Sequence, residues 1–175
     1  MTTLALLPLV SAARGVTASS RTQAAVQNRI GVAPNFEARL ATSINVVRKR
    51  HGLRCLRLVP ELVRSSDSHS LQMARGGFFA HESRNGSSFN TRIQRFYGSR
   101  GYRYWSAGEN LFWAGRSIKP NQIVARWLAS PQHRAILLSS RWRVMGVGVV
   151  QSAHGSGVFR GRAVVVITTD FAVRS

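Results

Sequence analysis

The chain reads as an α+β domain, and three observations support that reading. Apolar residues recur at helical spacing through its first two thirds, and the last third holds two β-branched runs around a glycine-rich loop. With 44% hydrophobic and 18% charged residues over 175 positions, the chain is long and apolar enough for one domain with a real core.

The elements follow in order. Residues 1–35 are read as leader or linker. Leu4 to Val10 is a short apolar stretch and Val10-Ser11-Ala12 resembles a cleavage site, but no Lys or Arg precedes it and Pro8 interrupts it. This is the outline of a degraded or mis-started secretion signal, with a disordered tail as the competing reading. No apolar run reaches the ~18 residues of a membrane span. From Phe36, Leu40, Ile44 and Val47 mark a helix that Gly52 should end. A second helix starts at Pro60, a first-turn proline, places Leu62, Ser66, His69 and Met73 on one face, and stops at Gly76-Gly77. A third is capped by Ser87 or Ser88, with Phe89, Ile93 and Phe96 or Tyr97 inward.

The Gly108-Glu109-Asn110 run carries a turn signature. Beyond it, a short helix buries Ile123, Val124, Trp127 and Leu128. Another follows, with Ser130 as N-cap and Pro131 at its first position. The final runs, Val144 to Gln151 and Ala163 to Val173, form a hairpin with a long loop.

Charge is lopsided. There are 25 Lys plus Arg against six Asp plus Glu, a formal net charge of +19, and only Lys49 and Lys119 are lysines. Such a chain attracts polyanions. The arginines (Arg48, Arg57, Arg75, Arg92, Arg116, Arg143, Arg162) are scattered, however, and read as solvated charge rather than as a nucleic-acid stripe. Cys55 is the only cysteine, which excludes an internal disulfide and a cysteine metal site, and it reads as a small buried residue.

Three groups carry candidate chemistry: His81, Glu109 and His133, each at an element boundary. Two imidazoles and a carboxylate suit a divalent cation with an open position, or a proton relay. Bland readings compete. Ser130 beside His133 invites a nucleophile–base pair, yet a capping serine accepting from the His133 backbone N–H is the simpler role. His69 reads as a satisfied buried imidazole, Asp67 and Asp170 as local acceptors. Trp127 reads as core, and Trp105, Trp113 and Trp142 as core or groove lining.

Taken together, "HSLQMARGGFFAHESRNGSSFNTRI", "GENL", "ARWLASPQHRAILL" and "MGVGVV", in that order, resemble the bacterial branch of the CAP superfamily: cysteine-rich secretory proteins, antigen 5 and pathogenesis-related 1 proteins. The resemblance covers about Phe36 to Phe171 and implies an α-β-α sandwich with a central antiparallel sheet, over residues 36–173. It also implies an open cleft lined by two His and two Glu. His81, Glu109 and His133 match three of these, and Ser130 stands in the stretch of the second glutamate. Its functional implication is a monomeric, secreted or cell-envelope module for lipid, sterol-like or anionic envelope ligands. A weak divalent site, Zn²⁺ for example, could use His81, His133 and Glu109. The alternatives are a metal- or His-assisted hydrolase in the same cleft, and a charge-driven polyanion or nucleic-acid binder.

Overall fold

The computed structural model describes residues 30–175, so the apolar leader segment and its cleavage-like site lie outside the described residues. Five helices and five strands make up the domain. The helices are α1 (Pro34–Arg50), α2 (Pro60–Gly76), α3 (Phe89–Phe96), α4 (Pro120–Ala129) and α5 (Pro131–Leu137). The strands are β1 (Gly31–Val32), β2 (Arg57–Leu58), β3 (Trp105–Gly115), β4 (Val144–Ser152) and β5 (Val164–Arg174). β1 draws the sheet back into the stretch expected to be linker.

The helix ends fall where local chemistry puts them. Prolines open α1, α2, α4 and α5 at positions whose N–H has no helical partner. Gly77 ends α2 in the left-handed region at φ 65°, with its N–H on the Met73 carbonyl. Ser88 caps α3 by accepting from the Thr91 N–H at 3.2 Å.

The sheet runs β1-β4-β5-β3, with β2 added parallel to β4 beside β1. β3 pairs with β5 over its full length, and β4 with β5, both antiparallel. Side chains alternate across the two central strands. Met145, Val147, Val149, Val165, Ile167 and Phe171 pack beneath α1, α4 and α5. The other face meets α2 and α3 through Val144, Val150, Val164, Val166 and Ala172. The result is a helix–sheet–helix sandwich.

The α2 layer sits unusually close to β4. A Cβ at Gly146 would lie 2.1 Å from the Leu62 carbonyl carbon, and one at Gly148 2.3 Å from the Asp67 amide nitrogen. These alternating glycines let helix backbone rest on strand backbone, and Ser70 Oγ sits 3.0 Å from the Gly148 carbonyl oxygen and 2.9 Å from Thr168 Oγ1.

Several sequence readings need correcting. Glu109 is in a strand and not in a turn: its eleven-residue pairing with β5 outweighs the local turn preference of Gly-Glu-Asn. Cys55 is exposed, because it lies in the short connection between α1 and β2. Arg48 is fully buried rather than solvated. It donates to the carbonyls of Leu137 (2.7 Å), Ser139 (3.1 Å) and Arg54 (3.1 Å), closing the C-terminal end of α5. Trp142 is core. Trp105 and Trp113 are half-buried, Trp105 donating to the Tyr97 carbonyl and Trp113 stacking edge-on against Phe159.

Gly148→Ala is expected to destabilise the domain by about 3 kcal/mol, since backbone on both sides must move. Urea denaturation measures this, and a loss within about 0.5 kcal/mol would mean the contact is not tight.

Candidate functional site

The site forms where the two helical layers meet around the outer edge of β3. Period-two alternation divides the labour along this strand. Leu111 joins the α2-side cluster, and Glu109 points to the same side, opposite Asp170 in the register. Gly108 faces the other way, where a Cβ would fall 2.8 Å from the Trp142 ring. Asn110 follows that side, its Nδ2 donating to the His133 carbonyl at 3.0 Å. The Leu111 carbonyl accepts from the Trp127 indole at 3.0 Å. The tetrapeptide Gly108-Glu109-Asn110-Leu111 therefore fixes α5, α4 and the α2 layer from one strand.

Glu109 is buried, its side chain 0% exposed, and both carboxylate oxygens are engaged. Oε1 lies 2.8 Å from His81 Nδ1, and Oε2 accepts from Arg92 of α3. Arg92 is nearly as buried and also donates to the His81 carbonyl (3.1 Å) and to Ser83 Oγ (3.0 Å). One guanidinium thus pins the loop that carries His81 as well as the carboxylate beneath it.

The histidine environments differ. The hydrogen bond to Glu109 raises the His81 pKa above its ordinary value, against an opposing effect of burial. The side chain remains 46% exposed. His133 is shifted the other way, by burial and then by the nearby His81. Its Nδ1 lies 2.7 Å from Ser130 Oγ. Ser130 occupies the N-cap position of α5 but makes no side-chain cap bond, so the hydroxyl goes to the ring and not to the backbone N–H that sequence reasoning gave it.

His69 is buried, bonded through Nε2 to the Ala80 carbonyl at 2.9 Å, and burial depresses its pKa to about 4. It is a core imidazole, with Nδ1 unpartnered among the described residues. Asp170 is fully buried beside the Ser65 and Ser66 hydroxyls, and burial followed by the Glu109 charge raises its pKa well above the usual range.

Among the described residues no three His, Cys, Asp or Glu side chains are placed to share one ion. At Glu109 both oxygens already have protein partners, Oε2 with Arg92 and Oε1 with His81. Two imidazoles remain, and two are fewer protein ligands than zinc sites ordinarily use.

Sequence reasoning missed Arg92, which matters most here. The available signal was its place on the apolar stripe of α3, three residues after Phe89 and next to Ile93. An arginine on a buried stripe needs a carboxylate partner.

An α-β-α sandwich with this Gly-Glu-Asn strand, a His81–Glu109 contact and a His133 helix defines a CAP-type domain. Residues 42–169 match the CAP profile, described as the Cysteine-rich secretory protein family, and the chain belongs to that family. It is 30% identical over 117 residues to the protein YkwD of Bacillus subtilis (strain 168), covering 67% of this chain and 43% of that one. The chain therefore spans less than half of that relative. The structure is similar to an outer surface protein of Borrelia burgdorferi (TM-score 0.70, 18% identity, 85% of this chain and 99% of that one). It is also similar to an extracellular SCP-domain protein of Bacillus anthracis (TM-score 0.59, 25% identity, 79% and 40%).

Two predictions follow from Glu109. In Glu109→Gln, the His81 pKa should fall towards the ordinary ~6.5, as read by imidazole NMR titration. Because the folded value is raised, the contact stabilises the native state fully below about pH 6.5, and that share fades as pH rises through the folded value. An unmoved His81 pKa would contradict the assignment. Calorimetric Zn²⁺ titration should show tighter binding in Arg92→Met than in the native protein, because an oxygen of Glu109 is released. Strong native binding abolished by Glu109→Gln would oppose this geometry.

Proposed function

We propose that this CAP domain is a ligand-binding module working outside the cytoplasm, and that its ligand is an acyl chain with an anionic head. The observation that carries the reading is a trough of about 440 Å³ between α1 and α4. Its walls include Val46, Val47, Val124 and Leu128, and among the described residues Arg50 is the only formal charge lining it. Val46 is 45% exposed, so its side chain is open to a ligand lying in the trough. An apolar slot with one cation at its edge suits a hydrocarbon tail ending in a carboxylate or phosphate.

Location is supported by the names of similar proteins, one an outer surface protein and one an extracellular protein. Among the described residues no helix is long and apolar enough to cross a membrane.

The hydrolase reading has one specific observation in its favour, the 2.7 Å contact between Ser130 and His133. Against it, the atom on Ser130 is Nδ1 and no carboxylate bonds the His133 ring among the described residues. A nucleophile–base pair needs a third group to orient the base. Glu109, committed to His81 and Arg92, does not supply it.

Binding of a long-chain fatty acid, followed by displacement of a fluorescent analogue, tests the proposal. Val46→Glu should weaken binding about tenfold or more, because it places a carboxylate in the slot and beside the ligand's own charge. Arg50→Gln should narrow the preference for the acid over the matching alcohol. Absence of saturable binding to folded protein, or indifference to Val46→Glu, would refute it.

A further inference from the structure

A second concavity, of about 390 Å³, lies on the opposite helical layer between α2, the loop after His81 and α3. Among the described residues three arginines line it, Arg84, Arg92 and Arg95, and no acidic residue does. The ion pairs among the described residues both end on Glu109, so neither Arg84 nor Arg95 is held in one there.

Two of the polar groups beside these arginines have an acceptor engaged and a donor left over. Asn85 Oδ1 accepts from the Ser87 N–H (3.1 Å) and from Ser87 Oγ (2.8 Å), which leaves the Asn85 amide N–H₂ to donate. Ser83 Oγ accepts from Arg92, which leaves its own hydroxyl proton. Arg92 itself is 3% exposed and keeps one buried donor, Nε, with no acceptor among the described residues.

We propose that this concavity is a binding site for a phosphate-bearing ligand. Phosphate is acceptor-rich, and guanidinium groups match its oxygens in pairs. The volume falls within the ~300–1,000 Å³ of small-molecule sites, leaving room for a sugar or glycerol unit as well as the phosphate. Phe96, the one apolar side chain in the lining, offers a surface for such a unit. The site is separate from the acyl trough, but it shares Arg92 with the Glu109 centre, so occupancy bears on the position of His81.

The test is amide NMR on the full ¹⁵N-labelled chain at fixed ionic strength. Inorganic phosphate, glycerol 1-phosphate, and vesicles of phosphatidylglycerol or phosphatidylcholine serve as probes. Saturable shifts should centre on residues 83–85 and on α3. Arg84→Gln with Arg95→Gln should weaken binding of the soluble phosphates on the order of tenfold, from two lost charge-assisted contacts. Arg103→Gln with Arg126→Gln, two exposed arginines elsewhere, removes the same charge and should change affinity less than about twofold. A response of the same amides to phosphatidylglycerol but not phosphatidylcholine identifies a lipid headgroup as the source. A response to soluble phosphates alone identifies a soluble or polymer-borne phosphate. Shifts spread over the whole basic surface, or equal weakening by both arginine pairs, would overturn the proposal, whatever the fatty-acid experiment returns.

Discussion

The ion pair between Glu109 and Arg92 is the constraint on which the site is organised. Glu109 and Asp170 are register partners on the edge strand β3 and its neighbour β5, both buried from solvent. Two adjacent buried carboxylates cannot both ionise at ordinary cost. The fold separates them chemically: Arg92 and His81 hold Glu109, while burial and the Glu109 charge push Asp170 towards its neutral acid. Desolvating such a pair is unfavourable, and what the protein gains is placement. Through the same guanidinium the pair fixes the His81 carbonyl and Ser83, so the loop geometry depends on a charge buried beneath it.

That arrangement also sets what the cleft can do. A cleft of two histidines and a carboxylate suggests a cation, but here a resident cation of the protein already occupies the carboxylate. In a chain of net charge +19 this fits the wider electrostatics, which favour anions at the surface. The two proposed ligand sites share this character: an apolar slot edged by Arg50, and a donor-rich hollow around Arg92.

Much of the fold was legible because local signals agreed with tertiary needs. Pro60, Gly77 and Ser88 mark helix ends by mechanisms confined to a single turn, and the alternating Gly146 and Gly148 sit in a strand recognisable by its β-branched neighbours. β3 was not legible, since Gly108-Glu109-Asn110 looks like a turn until β5 pairs with it. Long-range pairing of this kind leaves little trace in the segment itself. The site divided along the same line. His81 and Glu109 are brought into direct contact, and His133 approaches them from the other helical layer. Arg92 and Arg48 were hidden among many arginines, although each follows the buried stripe of its helix: Arg92 beside Ile93, Arg48 four residues after Ile44. Charge count obscured position.

The most direct test of the account is a double-mutant cycle on the buried pair, with Glu109→Gln, Arg92→Met and the two combined, by chemical denaturation at pH 7. Each single change should cost about 3–5 kcal/mol by leaving its partner buried and unpaired. The double variant should cost clearly less than their sum, by at least about 2 kcal/mol. Additive losses would mean that Glu109 and Arg92 act independently, and that the site is organised by something other than their contact.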